Sequence, residues 1–267
     1  MSKVTDQVVV FVHDKNVIEG FLRGDPLLHL YGLGDLDDFF FPHTCWFGLT
    51  GGTGLRAIVL LYAGLEMPTV IALSDRNGRA TLGELVRGMA HLLPRRFYAH
   101  LSPGLAAELE GYELLPRGRH LKMALTDRPA LDAADTSRAV RLGPSDIEEL
   151  HTLYARSYPG NWFDRRMLET HQYFGVREHG ELVAAGGVHV FSPRYRVCAL
   201  GNVTAQPELR GRGLGTAVTA AVCKSVLETV DHIGLNVKAD NVGAVRCYRR
   251  LGFSDHAEYG EFVATAR

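Results

Sequence analysis

The apolar positions of this chain repeat with two different periods, and their alternation lays out a mixed α/β protein. Short, nearly continuous apolar runs at Leu55–Tyr62, Thr69–Ser74, Phe97–Leu101 and His120–Leu125 predict strands. Between them, Thr81–Leu93 and Pro103–Leu109 carry apolar residues at helical spacing and predict helices. A polar stretch of small residues with one proline, Thr126–Ser137, predicts a linker. The alternation then resumes. Arg138–Leu142 predicts a strand, Pro144–Tyr158 a helix and Asp164–His171 a second short helix. Tyr173–Arg177 and Glu181–Val190 predict a hairpin about His179-Gly180, and Val197–Ala205 a further strand. Thr216–Val230 reads as a helix, Ile233–Val237 as a strand, and Glu258–Ala264 as the strand closing the second sheet.

Both halves therefore share a strand-strand-helix-strand-helix-strand order, and Gly111-Tyr112 matches Gly252-Phe253 at the helix exits. This predicts two domains, 1–127 and 138–267, each a mixed sheet flanked by helices. An unrelated α/β domain in the first half is the alternative, because the order is common. The aromatic and aspartate-rich segment 29–47 reads as core plus loop, or as a wall of a substrate cleft.

Composition narrows the class. The 267 residues are 46% hydrophobic, ample for real cores, and the net charge is −1. Near-neutral balance gives no electrostatic footprint for nucleic acid or for a membrane surface. Cys45, Cys198, Cys223 and Cys247 are scattered, without zinc or redox spacing. No metal is expected, and Cys198 and Cys223 are expected to be buried thiols. The first seven residues carry no hydrophobic leader, and no apolar run is long enough to span a bilayer. The expectation is a soluble cytoplasmic protein; oligomeric state is not legible.

The chemistry concentrates at Arg210-Gly211-Arg212-Gly213-Leu214-Gly215, between the strand ending at Ala205 and the helix beginning near Thr216. A helix N-terminus presents unpaired N–H groups and the positive end of the helix dipole, which suits phosphate. Glycine lets the backbone approach such a ligand closely. The spacing is neither a dinucleotide fingerprint nor a P-loop. Downstream stands Asn241-x-x-Ala244-x-x-x-Tyr248-x-x-x-Gly252-Phe253. Asn241 is suited to cap a helix. Tyr248 shares a helical face with Ala244 and Leu251, so a core role is its alternative reading.

Arg-x-x-Gly-x-Gly followed by that second signature resembles the GCN5-related N-acetyltransferases (GNAT), and Leu235-Asn236-Val237 before Asn241 is similar to the glycine N-acyltransferase-like branch. The resemblance covers the second half. It implies that Arg210–Thr216 bind the pyrophosphate of acetyl-coenzyme A, the acyl donor. It implies further that Val203, Thr204 and Ala205 pair with pantetheine, with Asn241 and Ala244 adding cofactor contacts. Tyr248 matches the family's general acid toward the departing thiolate. Many members carry a Glu or His base on the strand before the loop, but here those places are Ala199 and Gly201. His189 is the first substitute candidate, then His171 and Glu169.

The first half lacks paired glycines at Ser74–Arg79, so on the tandem reading it is expected to be a degenerate copy of the same fold. The leading expectation is acetyl transfer from acetyl-coenzyme A to the amine of a small molecule or amino acid, with Arg194 and Arg196 candidates for a substrate carboxylate. Two alternatives stand beside it. One is acetylation of a protein or peptide, with Asp35, Asp37 and Asp38 furnishing an acidic groove. The other is a non-catalytic acyl-coenzyme A sensor.

Overall fold

A computed structural model describes residues 7–52 and 54–267; residues 1–6, read above as lacking a hydrophobic leader, lie outside the described residues. The chain forms two compact units. The first comprises the residues up to Lys122 with Lys238–Asp240 and His256–Arg267, and the second comprises Met123–Val237 and Asn241–Asp255.

The first unit begins with elements the hydrophobic pattern did not announce: β1 (Val8–Phe11), α1 (Lys15–Leu22), α2 (Leu30–Gly34) and β2 (Thr44–Gly51). The expected series follows as β3 (Gly54–Tyr62), β4 (Thr69–Ala72), α3 (Arg79–Met89), β5 (Arg96–Leu101) and β6 (Tyr112–Leu125). Pro103–Leu109 yields only a 3-10 turn over Leu105–Glu108, because Gly104 at φ 92° and a single buried leucine leave little to propagate. Strands β1 to β4 pair antiparallel in sequence order, and β4 runs parallel to β5. Their apolar residues pack with Leu82, Leu85, Val86 and Met89 of α3 into one core.

The second unit opens with a correction. The segment expected to be a plain linker contains α4 (Arg128–Asp132), capped by the Asp127 side chain on the Ala130 amide at 3.2 Å, with Leu131 fully buried. Then come β7 (Ala139–Leu142), α5 (Ile147–Ser157), a 3-10 stretch at Arg165–Thr170 where a helix was expected, β8 (Tyr173–Glu178) and β9 (Glu181–Ser192). The β8–β9 turn holds His179 and Gly180 at φ 52° and 83°, the two left-handed residues a tight hairpin demands. After it follow β10 (Val197–Ala205), α6 (Leu214–Val226), β11 (His232–Lys238) and α7 (Val242–Arg250). Strands β7 to β10 are antiparallel neighbours in order, while β10 and β11 are parallel. Buried on nearly every side, α6 lies on β8, β9 and β10.

The last strand, β12 (Phe253–Ala266), is a second correction. Its residues Gly260–Thr265 pair antiparallel with Leu101–Arg96 of β5, so Glu258–Ala264 completes the sheet of the first unit, not the second. The apolar pattern of a strand states that it must be buried; it does not state against which partner.

Candidate functional site

Strand β10 leaves its parallel neighbour half way along. Val197 to Leu200 pair with His232 to Leu235 of β11, whereas on the other flank pairing with β9 continues through Gly201, Thr204 and Ala205. Two facing irregularities bend the strand at that point. One lies opposite Ala199/Leu200, where β9 carries His189 as an extra residue, and the other lies between Gly201 and Thr204. Asn202, inside the second, is left-handed at φ 55°. Beyond Leu200 the β11-facing edge of β10, which includes Val203, Thr204 and Ala205, is left without a strand partner among the described pairings.

That edge leads to the glycine turn. Gly211 and Gly213 take φ 82° and 81°, and Gly213 is the N-cap of α6 with no side chain capping it. The first intrahelical bond runs from the Ala217 N–H to the Gly213 carbonyl at 2.9 Å, so the amides of Leu214, Gly215 and Thr216 precede the ladder. A Cβ built on Gly211, Gly213 or Gly215 meets nothing within 4 Å. An open cradle of helix N-terminal amides is a place for a phosphate group, and these residues fit the pyrophosphate of coenzyme A.

The two arginines of the turn have other work. Arg210 donates to the Ala205 carbonyl at 3.3 Å and the Ser157 carbonyl at 3.0 Å, tying the end of α5 to the end of β10. Arg212 lies 3.3 Å from Glu178, whose other oxygen pairs with Arg138 at 2.5 Å. Thr216 Oγ1 meets Cys247 Sγ at 3.2 Å and so joins α6 to α7. Asn241 caps α7 as expected, accepting from the Ala244 amide at 3.2 Å. One position further on from Cys247, Tyr248 is buried with its ring tilted against Phe253 at 5.9 Å. Burial, reinforced by Cys247 and Tyr158, pushes its hydroxyl above the ordinary phenol range, so it stays protonated at neutral pH.

His189 sits where the sequence leaves a gap. A Cβ on Gly201 would stand 2.2 to 2.4 Å from the His189 ring atoms, so the imidazole fills the space a side chain at 201 would take. Its Nε2 is buried without a hydrogen-bond partner. Burial holds its pKa below the ordinary 6.5, opposed by a hydrogen bond with Asn202. Asn202 is anchored in turn: its side-chain amide donates to Tyr173 Oη at 3.0 Å and its backbone carbonyl accepts from Tyr154 Oη at 3.0 Å. Asn202, Tyr154 and Tyr173 went unremarked in the sequence, where a polar residue inside an apolar strand was the one available signal.

The remaining candidates are dispersed. His171 and Glu169 are exposed, and the His171 carbonyl is held by Arg141. Arg196, expected to face a substrate carboxylate, forms a two-point ion pair with Asp231 at 2.5 and 2.7 Å, and Arg194 lies 5.5 Å from the Tyr195 ring. In the first unit Asp38 is paired with Lys15 at 2.6 Å, and burial, with the nearby Asp37, pushes Asp35 up to about 7. Cys198 and Cys223 are buried free thiols. No helix among the described residues is long and apolar enough to cross a membrane.

Comparison with known proteins places this geometry. Residues 145–253 match the model of the acetyltransferase (GNAT) family. Over 177 residues the chain is 27% identical to a mycothiol acetyltransferase from a Mycobacterium species, an alignment that spans 58% of each protein. A Drosophila protein of known structure superposes with a TM-score of 0.68 at 15% identity, covering 98% of this chain and 99% of its own. A tandem GNAT protein from the clavulanic acid biosynthesis pathway gives 0.55 at 16% identity, covering 97% and 98%. At such identities the structural neighbours establish the fold.

Proposed function

We infer, from a second unit that is a GNAT-family acetyltransferase domain across residues 145–253, that this protein transfers an acetyl group from acetyl-coenzyme A to the amine of a small molecule or amino acid. The observation that carries the reading is the parting of β10 from β11 after Leu200, directly ahead of an open cradle of helix N-terminal amides. The small-molecule acceptor is supported by the relative named for mycothiol.

When bound, the coenzyme supplies an activated thioester. The amides of Gly211 to Thr216 would hold its pyrophosphate, with Asn241 and Ala244 of α7 adding contacts. The backbone of Val203, Thr204 and Ala205 would orient the pantetheine arm, and one of these amides would stabilise negative charge growing on the carbonyl oxygen. Nε2 of His189, neutral and unpartnered, accepts the proton that the attacking amine must lose. The Tyr248 hydroxyl donates a proton to the leaving sulfur. The first unit is a degenerate copy of the same domain, and its Ser74–Arg79 turn has no paired glycines to repeat the cradle.

The test is thiol release from acetyl-coenzyme A against a panel of amino acids, polyamines, aminoglycosides and short peptides, with cofactor binding followed by thermal shift. Turnover on a small amine is the expected result. Binding without turnover on any acceptor would replace the reading with that of an acyl-coenzyme A sensor. Gly213→Glu places bulk and negative charge in the cradle and removes cofactor binding; unchanged affinity would sink the loop assignment.

A further inference from the structure

Beside the proposed base stands an asparagine to which acetyl transfer has so far given no role. Asn202 occupies the second bulge of β10 at φ 55°, a left-handed conformation that asparagine tolerates better than most residues. The residue is buried, so both donors and the carbonyl of its side-chain amide need partners inside the protein.

The donors are accounted for. Nδ2 lies 3.0 Å from Tyr173 Oη and 3.4 Å from the Trp162 backbone carbonyl. A backbone carbonyl can only accept, so it fixes which end of the amide is nitrogen. Tyr173 agrees, because its own hydroxyl donates toward Met167 Sδ at 3.2 Å and the Val188 carbonyl at 3.4 Å, leaving a lone pair for Nδ2. The backbone carbonyl of Asn202 is taken by Tyr154 Oη at 3.0 Å. What remains is the side-chain oxygen, Oδ1, which can only accept.

Asn202 is also the side chain hydrogen-bonded to His189. Since the Nδ2 hydrogens point elsewhere, the imidazole is the donor in that bond and Oδ1 the acceptor. Of the two ring nitrogens, Nε2 makes no hydrogen bond, and the Cδ2–Nε2 edge is the one lying over Gly201. The N–H therefore sits on Nδ1. In a neutral imidazole this leaves Nε2 as a bare lone pair. The electrostatics agree: an acceptor facing an N–H favours the protonated ring, and Asn202 raises the pKa that burial lowers. The ionisable groups joined to this network, Tyr154 of α5 and Tyr173 of β8, are pushed above the ordinary phenol range by burial and are uncharged at neutral pH. Among the described residues no ionised side chain contributes to the shift of His189.

We propose that Asn202 is a positioning residue for acetyl transfer: through Oδ1 it holds His189 as the Nδ1–H tautomer, with Nε2 bare to take the proton of the attacking amine. The role in catalysis rests on the acetyl-transfer reading, whereas the tautomer is readable without turnover.

Long-range proton–nitrogen NMR of the full chain at neutral pH tests it, with His189→Gln identifying the His189 signals. The parent is expected to be protonated at Nδ1 and bare at Nε2. Asn202→Gly keeps the left-handed backbone and removes the acceptor. It is expected to lose that single tautomer and to lower kcat/KM at least about tenfold, with coenzyme affinity unchanged. Asn202→Asp presents a charged acceptor and moves the acid limb of the kcat/KM profile up by about one pH unit or more, which covers the case in which Asn202→Gly does not fold. A parent protonated at Nε2, a folded Asn202→Gly with the parent's tautomer or the parent's kcat/KM, or an Asn202→Asp limb that stays in place would overturn the proposal. Loss of the tautomer in Asn202→Gly, in a chain that acetylates no amine, would uphold the Asn202–His189 bond and sink the acetyl-transfer reading instead.

Discussion

At the scale of single residues, the proposed reaction turns on a histidine supplied by the neighbouring strand. Gly201 has no side chain, and the His189 ring lies over it with Nε2 unpartnered. His189→Gln is expected to lower kcat/KM by about 10²- to 10⁴-fold with cofactor affinity unchanged, measured by steady-state kinetics and titration. A base works only unprotonated, so activity rises with pH through its pKa. Burial lowers that pKa, so the acid limb of the kcat/KM profile falls below pH 6.5 and the limb vanishes in the variant. Tyr248 is expected to behave differently. Its hydroxyl is held protonated by burial, so Tyr248→Phe spares binding and slows turnover, whereas a rate equal to the parent's would reduce Tyr248 to a core aromatic.

At the scale of elements, what matters is where strands part and how helices are pinned. The two facing bulges turn β10 away from β11, and Arg210, by bonding the ends of α5 and β10, fixes the approach to the turn. Helix α7 is pinned at both ends. Asn241 caps its start, and Gly252 at φ 89° closes it, with the Gly252 amide on the Arg249 carbonyl at 3.1 Å. The Gly252 carbonyl then accepts from the Thr126 and Asp127 amides, each at 3.0 Å. A Cβ at 252 would stand 2.0 Å from the Asp127 carbonyl oxygen, a backbone atom with no freedom to yield. Gly252→Ala is therefore expected to cost at least about 3 kcal/mol, a fall of roughly 10 °C in melting temperature by calorimetry.

At the scale of the whole molecule, acid is the expected weak point. His29 and His100, both in the first unit, are lowered from 6.5 to about 4, chiefly by burial. The unfolded chain thus binds protons that the folded chain refuses. Stability is fully present above pH 6.5 and falls as pH drops toward 4, by up to on the order of 3 kcal/mol for each histidine. Thermal melts at pH 7.5 and pH 5 check this, and equal melting temperatures would contradict it. The sequence by itself determined the alternation of strands and helices from Leu55 onward, the glycine turn, the cap at Asn241 and the family resemblance. Each of these is a local rule, set by side-chain period, by backbone freedom or by residues a few positions apart. Tertiary structure decided the rest, because the partners lie far apart along the chain. It gave β12 to β5 across more than 150 residues, brought His189 over Gly201, occupied Arg196 with Asp231, and gathered Tyr98, His120 and Glu261 into one cluster. An apolar period fixes which face of an element is buried, and only packing fixes what that face meets.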